Sequence, residues 1–207
     1  VALALNNEGL ILGRMNLPAQ EEAHYRASYH LFKSIGDSAG MATALSNIGT
    51  KYLMRNRHQL ALPFFMQSLA ISEAIGDLSG KARILMSLGD IYRKTDQVSA
   101  ALDYYEKSLV MSQTIRDDWQ FALALRRMAY VYYNLYEYKK AAQYLRKSLA
   151  ICKKAGDMDG YSEALTTLST IDFNAKHYVP AEKGLLECLA VNEQYGLRFR
   201  DGEVLSH

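Results

Sequence analysis

The stretch "EAIGDLSGKA" at residues 73–82 decides the fold. Its Ile75-Gly76-Asp77, followed by Gly80, repeats an earlier Ile35-Gly36-Asp37, followed by Gly40. The same words return as Ile115-Arg116-Asp117 and as Ala155-Gly156-Asp157 with Gly160, then fade at Tyr195-Gly196-Leu197. A glycine just past a helix takes the left-handed C′ conformation without penalty. An aspartate next to it is placed to accept the free N–H groups that open the following helix. The dipeptide therefore reads as punctuation that closes one helix and opens the next. Arg116 breaks the glycine rule, so that corner is expected to be strained or differently turned.

The punctuation recurs every 40 residues, and at that shift the chain aligns with itself without a gap. One column reads Gly9, Gly49, Gly89, Ala129, Ser169, and another Leu5, Leu45, Leu85, Leu125, Leu165. A third reads Glu21, Ala61, Ala101, Ala141, Ala181, and a fourth Tyr25, Phe65, Tyr105, Leu145, Leu185. Small residues also fill Ser28, Ser68, Ser108, Ser148 and Cys188. A fixed period of this length marks a stacked array. Each unit holds two helical stripes, such as Ala44, Leu45, Ile48, Tyr52 and then Ala61, Phe65, Ser68, Leu69, Ser72, Ile75. Short turns, "RNRH" at 55–58 and "YEY" at 136–138, make each unit an antiparallel helix pair. The small columns mark crossings too close for a large side chain. Pro63 falls beyond the first turn of a helix starting near His58 and removes one backbone hydrogen bond, whereas Pro18 and Pro180 sit harmlessly in first turns.

These columns resemble the tetratricopeptide repeat, whose pattern runs Leu-Gly, Tyr, Ala, then an aromatic. "LGDIY…AALDYYEKSL" (88–109) and "IGTKY…ALPFFMQSL" (48–69) carry the resemblance. It covers essentially the whole chain, as units of about 1–37, 38–77, 78–117, 118–157 and 158–197 and the opening of a sixth over 198–207. The period of 40 in place of 34, without the family's early Trp and closing Pro, is similar to the longer-helix subtype of peptide-binding adaptors and bacterial signalling proteins. The resemblance implies an all-α fold, a right-handed α-solenoid of stacked antiparallel helix pairs forming a single array over 1–207. Beginning on Val1 and ending at "GEVLSH", the segment reads as a piece of a longer protein.

In such a fold the first helix of each pair lines a concave groove. Carried over by position, the groove takes Leu3, Asn6, Asn7 and Leu10 from the first unit and Thr43, Ser46, Asn47 and Thr50 from the second. Arg83, Met86, Ser87 and Asp90 follow, then Leu123, Arg126, Arg127, Tyr130 and Tyr133, then Glu163, Thr166, Thr167 and Thr170. These columns also change most from unit to unit while their neighbours repeat, as expected of positions released from a common packing demand. Asn7 and Asn47 are expected to hold the backbone of an extended peptide. Arg83, Arg126 and Arg127 would grip a carboxylate or phosphate beside the aromatic rings of Tyr130 and Tyr133. Against this stands a bland reading, with the arginines solvated or neutralised by Asp90 and Glu163.

The formal net charge of +2 speaks against a nucleic-acid partner, and no apolar run reaches the ~18 residues of a membrane span. Residues 118–157 carry eight Lys/Arg against three Asp/Glu, a net of +5; residues 158–197 carry two against six, a net of −4. The basic excess lies on a second helix and reads as solvated surface, with weak head-to-tail self-association as a corollary. The histidines are dispersed, the two cysteines show no CxxC spacing, and no phosphate loop or nucleophile motif occurs. No enzyme activity, metal or cofactor is therefore expected. Cys188 reads as a core residue and Cys152 as a surface or half-buried thiol, both in a reducing, cytoplasmic setting. Trp119 covers the corner at Arg116 or anchors a partner, the first being favoured. The expected role is a scaffold binding a peptide or partner helix, acidic or carboxylate-bearing. The alternative is a sensory segment acting on the effector domain of a larger bacterial signalling protein, such as a histidine kinase or transcription regulator.

Overall fold

A computed structural model describes residues 1–197; the expected opening of a sixth repeat lies outside the described residues. Ten helices follow in order: α1 (Ala2–Arg14), α2 (Pro18–Ser34), α3 (Ser38–Met54), α4 (His58–Ala74), α5 (Leu78–Lys94), α6 (Val98–Thr114), α7 (Asp118–Asn134), α8 (Tyr138–Ala155), α9 (Met158–Asn174) and α10 (Tyr178–Tyr195). The chain divides into two compact units at Met111, within α6. In the first, α1 packs on α2, α2 on α3, α3 on α4 and α4 on α5, while α1 touches α3 and α3 touches α5. In the second, α7, α8, α9 and α10 pack in succession and α7 touches α9. Each unit is all-α, a stack of antiparallel helix pairs.

The helices end where the sequence says they should. Gly36, Gly76, Gly156 and Gly196 all have positive φ, and the N–H of the following residue returns five residues, as from Asp37 to Phe32 O and from Asp157 to Cys152 O, both at 2.9 Å. That is the Schellman closure. Asp37, Asp77, Asp117 and Asp157 each cap the next helix by accepting from the N–H three residues on, at 2.8 to 3.0 Å. Arg116 adopts the same turn with φ +56, so the corner is strained and not differently turned. The turns inside each pair repeat this geometry with Asn16, Asn56, Asp96, Tyr136 and Lys176 in the left-handed position. They occupy 55–57 and 135–137, so His58 and Tyr138 already belong to helices. Pro63 lies inside α4 and Pro18 at its helix start.

The packing explains the columns. The ring of Tyr105 lies so close over Gly89 that a Cβ there would come within 2.5 Å of it, and Tyr25 covers Gly9 in the same way. Where the aromatic becomes Leu145 or Leu185, the glycine becomes Ala129 or Ser169. The serine column does more than stay small. Ser28, Ser68, Ser108 and Ser148 each donate to a carbonyl in the preceding helix, those of Ala2, Ala42, Ala82 and Ala122, at 2.7 to 3.1 Å. Near the turn that joins the two helices, three of the pairs stack aromatic rings: Tyr52 on Phe64, Tyr92 on Tyr104 and Tyr132 on Tyr144. Fully buried Tyr105 donates to Asp90 at 2.7 Å, and burial with that carboxylate pushes its phenol well above the ordinary range.

Candidate functional site

In the first unit, the exposed side of α1 and α3 forms a cleft of about 390 Å³ above the start of α2. Leu10, Asn47 and Thr50, all from the columns expected to recognise a ligand, line it together with Arg14, Lys51 and Arg55. Asn47 donates to Asn6 at 2.9 Å, which fixes its amide. Asn7 and Arg83 are exposed.

Glu21, Lys51 and Arg55 of this lining belong to an acid–base network that the sequence reading missed. Glu22 accepts from Lys51, from Tyr52 at 2.8 Å and from Arg26 at 2.8 Å. Burial pushes its carboxyl up, but those hydrogen bonds outweigh it and hold the pKa down at about 2. Lys51 is only 5% exposed, so the pair is largely desolvated. Buried Glu21 pairs with Arg55 at 2.9 Å. A signal existed: Glu21 stands in the alanine column, and Gly13 stands where later units carry Leu53, Arg93, Tyr133 and Phe173. A Cβ at Gly13 would come within 2.6 Å of Glu21 Oε1, so the two exceptions compensate each other.

In the second unit the predicted residues separate. Arg126 is 6% exposed, with Nε at 3.2 Å from Glu163 and Nη1 at 3.6 Å from Asp157 and 3.2 Å from Cys152 Sγ. Its guanidinium serves the joint between α7, α8 and α9. Arg127, Tyr130 and Tyr133 are half-buried, and the Tyr133 hydroxyl accepts from Asn174 at 3.3 Å. Cys152 corrects the expectation of a surface or half-buried thiol. Its column faces the first turn of the next pair, so it is wholly buried, and burial pushes its pKa up. Cys188 is buried as expected, hydrogen-bonded among Ser162, Thr166 and Asn192. Trp119 is 51% exposed. Lys139, Lys140, Arg146, Lys147, Lys153 and Lys154 are all exposed. Among the described residues no cluster of His, Cys, Asp or Glu is placed to hold a metal ion, and no helix is long and apolar enough to cross a membrane.

Models of the tetratricopeptide repeat family match residues 1–74 and 41–114, and again 121–155. No curated protein sequence matches significantly. Among solved structures, the chain is similar to BtubC from P. vanneervenii, with a TM-score of 0.80, 17% identity, and coverage of 96% of this chain and 82% of that one. It is similar to a Rap protein in complex with competence and sporulation factor, with a TM-score of 0.81, 14% identity, and coverage of 93% and 54%. It is also similar to a signal transduction ATPase with a tetratricopeptide repeat sensor from Pyrococcus horikoshii, with a TM-score of 0.74, 17% identity, and coverage of 96% and 34%. At these identities the likeness concerns the fold.

Proposed function

The chain belongs to the tetratricopeptide repeat family, and from that premise we propose that it is a non-catalytic scaffold holding a peptide or partner helix against the first helices of its pairs. The observation carrying this reading is the cleft between α1 and α3. Leu10 offers an apolar contact, Asn47 and Thr50 offer polar ones, and Arg14 supplies positive charge to a peptide carboxylate. An extended backbone satisfied by side-chain amides and anchored by a few side chains is a recurrent mode of peptide capture. Asn7 and Arg83 in the first unit, and Arg127, Tyr130 and Tyr133 in the second, would extend recognition along the same helix faces. Arg126 is not counted among them, because freeing it for a ligand would break two ion pairs. A reducing, cytoplasmic setting suits the two free buried cysteines.

The test is hydrogen exchange with and without a peptide selected from a displayed random library. Protection should fall on α1, on α3 and around Arg83 and Arg127. Asn7→Ala or Arg83→Glu should weaken binding about tenfold, ~1.4 kcal/mol, with the thermal midpoint unchanged. Protection confined to second helices would overturn the reading. A second reading, a sensory segment of a larger signalling protein, is favoured by the likeness to the ATPase carrying such a sensor. Its test is the full-length gene, where an adjoining effector domain that responds to Arg83→Glu would support it.

A further inference from the structure

The second unit carries a concavity of its own. It measures about 800 Å³ and lies between the start of α8 and the end of α9. Ala142, Ile171 and Ala175 form an apolar floor, with Tyr136 and Tyr138 at one wall. Lys139, Lys140, Arg146 and His177 stand around it. Two of these groups have acids beside them, Lys140 with Glu137 at 2.6 Å and His177 with Asp172 at 3.7 Å. Lys139 and Arg146 are exposed and have no acid partner among the described residues.

Tyr136 supplies an independent observation. It sits in the left-handed turn position with φ +60, where three other pairs place Asn16, Asn56 and Asp96. Asparagine and aspartate tolerate that conformation, whereas a tyrosine is strained in it. Its ring gains little in return, since it is 79% exposed and meets Tyr138 edge-on at 6.2 Å. A residue that is both strained and solvated contributes nothing evident to folding, and such outliers gather at functional positions.

We propose that this cleft is a second peptide-binding site, which takes an acidic segment carrying one large apolar side chain. The apolar side chain would enter between Tyr136, Tyr138 and Ile171, and flanking carboxylates would meet Lys139 and Arg146. The charge such a partner needs comes from the lining itself, where Lys139 and Arg146 have no acid partner among the described residues. The residues that carry this proposal, Tyr136, Lys139 and Arg146, lie outside the first-helix columns, so it is tested separately from the proposed function.

The experiment titrates the intact chain with a fluorescein-labelled peptide bearing one tryptophan flanked by glutamates, read by anisotropy. The wild type should bind saturably, and more weakly as salt is raised. Lys139→Glu with Arg146→Glu should weaken binding at least tenfold. Tyr136→Asn should weaken it about tenfold while raising the thermal midpoint, an opposition that a merely structural residue does not produce. Lys33→Glu, an exposed charge outside both sites, should leave it unchanged. The proposal is overturned by absent saturation, by full binding in the Tyr136→Asn or Lys139/Arg146 variants, by loss in the Lys33 variant, or by equal affinity for an oligothymidylate.

Discussion

At the scale of the residue, two positions expose the rules of the repeat by straining against them. Tyr105 lies on Gly89 so closely that even a methyl group must displace it. Gly89→Ala should therefore cost about 1–3 kcal/mol, read as a lower urea midpoint, although alanine favours helix. The same alanine is native at position 129, where the facing side chain is Leu145. Arg116 holds φ +56 in a turn where glycine is free of strain. Arg116→Gly should stabilise by about 1 kcal/mol, measured by the same denaturation. Both effects were foreshadowed by the sequence, because a repeated column displays its own exceptions. The burial of Cys152 was not, since serine at the same place in two earlier units suggests exposure as readily as a tight polar contact.

At the scale of the element, helix ends and pairings were legible because glycine, aspartate and the apolar stripes act within a few residues. The left-handed turns inside each pair were harder to read, since Asn, Asp, Tyr and Lys share no obvious signature. The serine column was legible only as small. Its hydroxyls in fact join second helix to first, and a carbonyl already engaged in its helix can accept such a second bond. Ser68→Ala should cost about 1 kcal/mol, with the loss visible as faster hydrogen exchange where α4 meets α3. Ser68→Gly should cost more, by roughly another 1 kcal/mol, because glycine weakens the helix as well.

At the scale of the molecule, charge placement separates what holds the chain together from what remains for a partner. Glu22 titrates near 2 in the folded state, below its ordinary value of 4.5. Its contribution is therefore complete above that ordinary value and is lost as pH falls towards 2. The urea midpoint of the wild type should drop between pH 5 and pH 2. In Glu22→Gln that drop should be smaller, and stability at pH 7 should be lower by roughly 3 kcal/mol, because Lys51 is left buried beside a neutral amide. The candidate site was legible only as columns. Which member of a column is spent on a neighbour depends on side chains brought together by folding, as Arg126 is by Asp157, whereas its pairing with Glu163 was one of the two readings the sequence offered. The uniform turn has a consequence for descent. Asp37 and Asp77 have nearly the same backbone angles, φ −82, ψ 88 and φ −76, ψ 88. A recombination that deletes residues 38–77 would join Asp37 to Leu78 with each neighbour already in the conformation its new junction requires. The gene can gain or lose forty codons at a time without inventing a joint, and a lineage can lengthen its binding surface by copying error alone.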